Sequence, residues 1–94
     1  MSNEAKQQRV ESTLRLAPVV PVVIIEDASK AVGMARALVA GGIPAIEVTL
    51  RTPAALDAVR AIAAEVEGAF VGVGTVLTAH DLENAYKAGA KFAV

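Results

Sequence analysis

A chain of 94 residues with no cysteine and a single histidine, His80, is at most one small domain. These counts exclude a disulfide framework, a thiol nucleophile, a cysteine-based zinc site and a histidine cluster for a metal. Nine basic and ten acidic residues give a formal net charge of −1. Because this balance attracts neither nucleic acid nor an anionic membrane, we expect neither as a partner.

Hydrophobic residues make up 54% of the chain, and only 3% of the residues are aromatic. The longest apolar run, 17–25, contains two prolines and is far shorter than the roughly 18–20 residues that a membrane span needs. Segment 1–15 is polar, unlike a signal peptide. We therefore expect a cytoplasmic protein.

Apolar strand patterns alternate with amphipathic helix patterns along the chain. In order, the sequence predicts a helix over 3–16, a strand over 18–25, a helix over 28–39, a strand over 45–50, a helix over 53–66, a strand over 69–73, a helix over 79–88 and a strand over 91–94. The first strand, PVVPVVII, is apolar on both faces and is typical of a strand covered on both sides, although Pro21 has no amide for a central strand.

Capping residues mark the helix boundaries. Asp27, Thr52 and Thr78 are suitable N-caps, and Pro53 fits the first helical position because its missing amide is not needed there. Glycines that can adopt positive φ follow the predicted helices. These are Gly41, Gly42, Gly68 and Gly89.

Alternation of strands and helices with short loops predicts a parallel sheet with right-handed crossovers. We predict an α/β fold, the N-terminal half of a (β/α)8 TIM barrel preceded by an N-terminal helix. Residues 1–17 form that helix, and 18–94 form the first three βα units and the fourth strand, an incomplete domain. A small open doubly wound sheet is the alternative.

Segment 45–51 is the most informative for function. Alternate residues of a strand share a face, so apolar Ile46, Val48 and Leu50 oppose polar Glu47, Thr49 and Arg51. In a barrel, the polar face lines the interior, and Arg51 lies at the carboxyl end of the strand, where barrel active sites occur. Arg51 can bind a carboxylate or phosphate through two parallel hydrogen bonds, and a partly desolvated Glu47 can move protons. A Glu–Arg pair that only fills the core is the alternative.

Segment 72–75, GVGT, offers backbone amides and a hydroxyl at the exit of the third strand. It lacks the third glycine of a dinucleotide fingerprint and the lysine of a P-loop. A tight exit that needs small residues is the alternative. Because Thr75 shares parity with Val71 and Val73, we expect its side chain to point into the same barrel opening as Arg51.

Other chemistry-bearing residues have simpler interpretations. His80 is expected to be exposed in the first turn of a helix, and Tyr86 to pack near Leu82. Lys91 opens the fourth strand at its amino end, the face of a barrel that contributes to stability rather than catalysis.

Four segments, PVVPVVII, ALVAGGIPAIEVTLRT, VGVGTVL and AGAKFAV, together resemble the N-terminal half of the 2-keto-3-deoxy-6-phosphogluconate (KDPG) and 4-hydroxy-2-oxoglutarate (KHG) aldolases over residues 14–94. The resemblance implies a (β/α)8 barrel and a class I, Schiff-base lyase of the Entner–Doudoroff pathway, usually a homotrimer, that needs no cofactor and no metal. It implies cleavage of KDPG to pyruvate and glyceraldehyde 3-phosphate, or of 4-hydroxy-2-oxoglutarate to pyruvate and glyoxylate.

Residue by residue, the resemblance implies that Glu47 is the general acid/base. It also implies that Arg51 binds the carboxylate of the pyruvate moiety, with the Thr75 hydroxyl at the same end. The Schiff-base lysine of the family lies on a later strand and is absent from this chain, so these residues alone are expected to be inactive. A non-catalytic half-barrel that self-associates, and a different phosphate-binding barrel enzyme such as an isomerase, are the alternatives.

Overall fold

The computed structural model describes residues 19–94, so the predicted N-terminal helix in 1–17 lies outside the described residues. Strands and helices alternate along the described part. They are β1 (Val22–Val23), a 3-10 turn (Ala28–Lys30), α1 (Ala31–Ala40), β2 (Ala45–Thr49), α2 (Ala55–Glu65), β3 (Phe70–Gly74) and α3 (Ala79–Ala88). Among residues 19–94, no helix has the length and apolar character needed to cross a bilayer.

The strands form one parallel sheet in the order β1-β2-β3, with Glu47 between Val22 and Gly72 in register. Segment 91–94 extends the sheet beside β3 through a parallel bridge between Val73 and Ala93. The spatial order of the strands follows the chain order, whereas a doubly wound sheet reverses direction at a switch point. The predicted half of a (β/α)8 barrel is therefore confirmed for the described residues.

One face of the sheet carries the hydrophobic core. Ile46 and Val48 of β2 and Val73 of β3 are fully buried and pack in one cluster with Val59 and Ile62 of α2. Fully buried alanines let the helices approach this layer closely. They include Ala35, Ala58 and Ala85. The high aliphatic content of the sequence thus fills the layer between sheet and helices.

The opposite face of the sheet, here called the inner face, carries Glu47 and is exposed along β1 among the described residues. Val22, which lies opposite Glu47, is 61% exposed, and Ile24 is 58% exposed. The prediction that the first strand extends over 18–25 with both faces covered is therefore wrong for residues 19–25. Pro21 has no amide to pair, and its carbonyl accepts the Glu47 N–H at 3.0 Å at the point where pairing begins.

Two of the three predicted caps are confirmed. Thr78 Oγ1 accepts the Asp81 N–H at 3.0 Å, and Asp27 accepts the Ser29 N–H at 3.0 Å at the start of the 3-10 turn. The prediction for Thr52 is wrong, because its hydroxyl donates to the Ile25 carbonyl and α2 begins only at Ala55. This hydroxyl ties the loop after β2 to the segment that follows β1 instead of capping a helix.

Replacing Ile46 by Ala should lower the free energy of unfolding by about 2–5 kcal/mol, because the cavity left behind adds to the lost burial of the side chain. The matched change Ile24→Ala removes the same atoms from a side chain that is 58% exposed and should cost less than about 1 kcal/mol. Urea unfolding of both variants measures the difference. Equal losses would contradict the placement of Ile46 in the core.

The cap at Asp27 predicts a pH dependence of stability. Hydrogen bonds from the Ser29 hydroxyl at 2.7 Å and from the Ser29 amide at 3.0 Å hold the pKa of Asp27 below its ordinary value. A carboxyl whose pKa is lowered on folding stabilises the protein above its unfolded pKa, and this stabilisation is lost as the pH falls through the folded pKa. The stability difference between the wild type and Asp27→Asn should therefore be largest near neutral pH and shrink below about pH 4.

Ser29→Ala is the matched control for this titration, since it removes the hydroxyl donor and keeps the carboxylate. It should flatten the pH dependence of the wild type without abolishing it. A stability difference between wild type and Asp27→Asn that stays constant from pH 7 to pH 2 would contradict the assignment.

Candidate active site at the carboxyl end of the sheet

Glu47 occupies the inner face because its neighbours in β2 are held on the other face. Ile46 and Val48 are 0% exposed against the helices, so the strand period of two turns Glu47 and Thr49 inward. Glu47 is half-buried, and its carboxylate crosses from β2 to the backbone of Gly74 in β3. The sheet thus presents a carboxylate near its carboxyl end, as the sequence predicts.

Arg51 and Thr75 follow β2 and β3, respectively, and meet at that same end. Arg51 Nε donates a hydrogen bond to Thr75 Oγ1 at 3.3 Å. The amide of Leu50 donates to the Gly74 carbonyl at 2.9 Å and continues the strand pairing up to this contact. The predicted proximity of Arg51 and Thr75 is therefore confirmed.

Thr75 nevertheless does not reach Arg51 by the strand parity predicted from the sequence. Val71 and Val73 pair with Ile46 and Val48 and share their helix-covered face, so regular continuation of β3 would turn Thr75 away from Arg51. Thr75 instead adopts φ 60°, the only positive φ of a non-glycine residue in the described part of the chain. This left-handed backbone ends the strand alternation and brings the hydroxyl to Arg51.

Two threonine hydroxyls fasten β2 and the loop after it to the neighbouring strand. Thr49 Oγ1 donates to the Val23 carbonyl at 3.4 Å, and Thr52 Oγ1 donates to the Ile25 carbonyl. Thr49 is only 5% exposed. Sequence reasoning placed Thr49 on the polar face but did not predict either bond, and together they fix the segment that carries Arg51.

The glycines of segment 72–75 make room for side chains from neighbouring strands. A Cβ on Gly72 would lie within 2.5 Å of the Phe92 ring, and the ring of Phe92 stacks on that of Phe70 with centroids 5.5 Å apart. Gly74 lies under the Glu47 carboxylate. Phe92 was missed at the sequence level, because nothing local connects it to Gly72.

The remaining candidates lie outside this cluster. His80 is exposed, as expected, but Tyr86 is 80% exposed, so its predicted packing near Leu82 is wrong within the described chain. Lys91 is also exposed. Residues 19–94 contain no group of three or more His, Asp or Glu side chains arranged to hold a metal ion.

The carboxylate of Glu47 and the guanidinium of Arg51 are separate groups along one edge of the sheet. No ion pair joins Glu47 to Arg51 within the described residues, so the alternative of a charge pair that only fills the core is not observed. The exposed guanidinium of Arg51 keeps its Nη donors free for an anion, while Nε is held by Thr75. A carboxylate and a guanidinium with free donors therefore lie at the same edge of the sheet.

Comparison with known proteins gives one consistent family. The family model described as KDPG and KHG aldolase matches residues 10–94. The 2-dehydro-3-deoxy-phosphogluconate aldolase of Zymomonas mobilis is 55% identical over 85 residues, which are 90% of this chain and 40% of that protein. The KHG/KDPG aldolase of Escherichia coli is 55% identical over 84 residues, 89% of this chain and 39% of that protein. The chain thus spans about 40% of the length of these curated relatives.

Solved structures agree in fold. The crystal structure of the 2-keto-3-deoxy-6-phosphogluconate aldolase of Zymomonas mobilis ZM4 with 3-phosphoglycerate superposes with a TM-score of 0.81 at 52% identity, covering 92% of this chain and 41% of that one. The KDPG aldolase of Legionella pneumophila, with pyruvate captured as a covalent carbinolamine intermediate, has a TM-score of 0.78 at 41% identity, covering 83% and 38%.

Proposed function

Because the chain belongs to the KDPG and KHG aldolase family, we propose that it supplies the acid/base and the carboxylate clamp of a Schiff-base aldolase. The observation that carries this proposal is the placement of Glu47 beside the Arg51–Thr75 pair at the carboxyl end of the sheet. The proposed substrates of the full-length protein are KDPG, cleaved to pyruvate and glyceraldehyde 3-phosphate, and 4-hydroxy-2-oxoglutarate, cleaved to pyruvate and glyoxylate.

The proposed nucleophile is a lysine outside residues 1–94, since no lysine of this chain matches the one in the family. Its neutral amine adds to the C2 ketone, and loss of water from the carbinolamine gives an iminium. The iminium accepts the electron pair of the C3–C4 bond as a base removes the proton of the C4 hydroxyl, which releases the aldehyde. Protonation of the resulting enamine at C3 and hydrolysis of the imine then release pyruvate.

Glu47 is the proposed carrier of protons in these steps. Its half-buried carboxylate lies on the inner face, where the parts of the substrate next to the C2 carbon would lie once the carboxylate is bound. General acid/base groups of this kind contribute roughly 10²–10⁴-fold to turnover. The captured carbinolamine in the Legionella pneumophila relative supports a mechanism in which such proton transfers are needed.

Arg51 and Thr75 form the proposed clamp for the carboxylate of the pyruvate moiety. The hydrogen bond from Nε to the Thr75 hydroxyl orients the guanidinium plane and leaves the Nη donors for the substrate. Holding the carboxylate at a fixed distance from Glu47 places the reacting carbons over the inner face. This positioning converts substrate binding into alignment for proton transfer.

Several features of the full-length protein complete the proposal. We place it in the cytoplasm as a homotrimer that uses neither metal nor cofactor and has no nucleic-acid or membrane partner. The 94-residue chain by itself is proposed to be inactive, because the imine-forming lysine is not among its residues.

Glu47→Gln in the full-length protein should lower kcat roughly 10²–10⁴-fold while the protein stays folded, because the amide keeps the shape of the side chain but cannot exchange protons. Turnover of KDPG and 4-hydroxy-2-oxoglutarate, followed by pyruvate release, measures the effect. Wild-type turnover in this variant would refute the acid/base role of Glu47.

Borohydride trapping with pyruvate provides the control for the nucleophile. The full-length protein should gain a stable adduct detectable by intact mass, and the 94-residue chain should gain none. An adduct on the 94-residue chain would show that one of its own lysines forms the imine, and the placement of the nucleophile beyond Val94 would be wrong.

Thr75→Val in the full-length protein should raise KM for the 2-keto acid roughly 2–10-fold, because a lost neutral hydrogen bond is worth about 0.5–1.5 kcal/mol. The matched variant Thr75→Ser keeps the hydroxyl and should stay near the wild-type KM. Steady-state kinetics at saturating and limiting substrate separate KM from kcat. Equal KM values for the Val and Ser variants would contradict a role of the hydroxyl in the clamp.

A further inference from the structure

The backbone conformation at position 74 does not require a glycine. The described glycines with positive φ are Gly42, Gly68 and Gly89, and Gly74 is not among them. An alanine at position 74 would therefore meet no conformational penalty from φ. The need for glycine comes instead from what lies above its α-carbon.

The outer half of the Glu47 side chain occupies that space. A Cβ built on Gly74 would lie 2.9 Å from Glu47 Cδ and 3.3 Å from Cγ, and closer still to Oε2. A Cβ essentially never comes within 3.0 Å of such an atom, so a methyl group and the observed carboxylate position exclude each other.

The backbones on both sides of this contact are fixed. Gly74 pairs with Thr49, and its carbonyl accepts the Leu50 N–H at 2.9 Å. Glu47 pairs with Gly72, and its amide donates to the Pro21 carbonyl at 3.0 Å. Because neither strand can move away without breaking the sheet, a methyl group at position 74 would displace the carboxylate itself.

We propose that Gly74 is a positioning residue for catalysis, since its missing side chain is the space that sets the carboxylate of Glu47. This inference rests on the proposed aldolase function, in which Glu47 moves protons. Misplacement of a catalytic group by about 1 Å can cost on the order of 10²-fold in rate. Gly74 touches no reacting atom and acts only through Glu47.

The test is Gly74→Ala in the full-length protein, assayed for kcat and KM with a 2-keto acid substrate. We expect kcat to fall on the order of 10²-fold, with KM within about threefold of wild type because the Arg51–Thr75 clamp is untouched. The control is Gly33→Ala, an exposed glycine in α1 where an added Cβ would meet nothing within 4 Å. Its kcat should stay near wild type.

A double-mutant cycle with Glu47→Ala separates positioning from a general disturbance of the strand. Without the outer atoms of Glu47 there is nothing to displace, so Gly74→Ala should lower kcat no further in that background. An additional loss in the double variant, or a kcat for Gly74→Ala equal to that of Gly33→Ala, would overturn the proposal.

The cycle also covers the case in which Gly74→Ala does not fold. Adding Glu47→Ala should then restore folding, seen as a recovered thermal midpoint, because it removes the clashing atoms. Failure of the double variant to fold would mean that the methyl group meets something else, and the proposal would fall. Failure of the full-length wild-type protein to release pyruvate from either proposed substrate refutes the proposed function itself, whereas loss of turnover in Glu47→Gln with wild-type turnover in Gly74→Ala refutes the positioning role alone.

Discussion

The in-register parallel pairing of β2 with β3 is the constraint on which the site depends. Ile46 and Val48 pair with Val71 and Val73, and all four are at most 1% exposed beneath the helices. Because side chains alternate along a strand, this burial leaves Glu47 only the inner face. A register slip of one residue would place the Glu47 carboxylate in the aliphatic layer and Val48 on the inner face. Packing of the helix-covered face therefore determines which side chains the inner face presents.

The residues of the site come from separate strands, and hydrogen bonds outside the site fix the relative positions of those strands. Thr49 joins β2 to the Val23 carbonyl of β1, and Thr52 joins the following loop to the Ile25 carbonyl just beyond β1. The amide of Leu50 donates to the Gly74 carbonyl of β3. Each bond lies within a few residues of Glu47 or Arg51. The segment that carries both charged groups is therefore fixed on two sides, which suits groups that must keep a defined separation.

Much of this arrangement follows from local sequence patterns, and the rest depends on contacts that no local pattern encodes. Period-two alternation placed Glu47 on the inner face, and the chain order of elements predicted the half-barrel. The proposed roles of Glu47, Arg51 and Thr75 come from the family resemblance, not from periodicity. The extent of the first strand was overestimated because apolar composition does not show where pairing stops. The left-handed turn at Thr75 and the ring of Phe92 over Gly72 require the neighbouring strand to be known.

The left-handed backbone of Thr75 affects the entropy of anion binding at this edge of the sheet. A non-glycine residue at φ 60° carries conformational strain on the order of 1–3 kcal/mol, which the surrounding sheet must sustain. In return, the hydroxyl limits the rotamers of Arg51 before any ligand arrives. An incoming carboxylate would then lose its own freedom of motion but impose little new order on the protein, so the entropy of association would be determined mainly by the ligand.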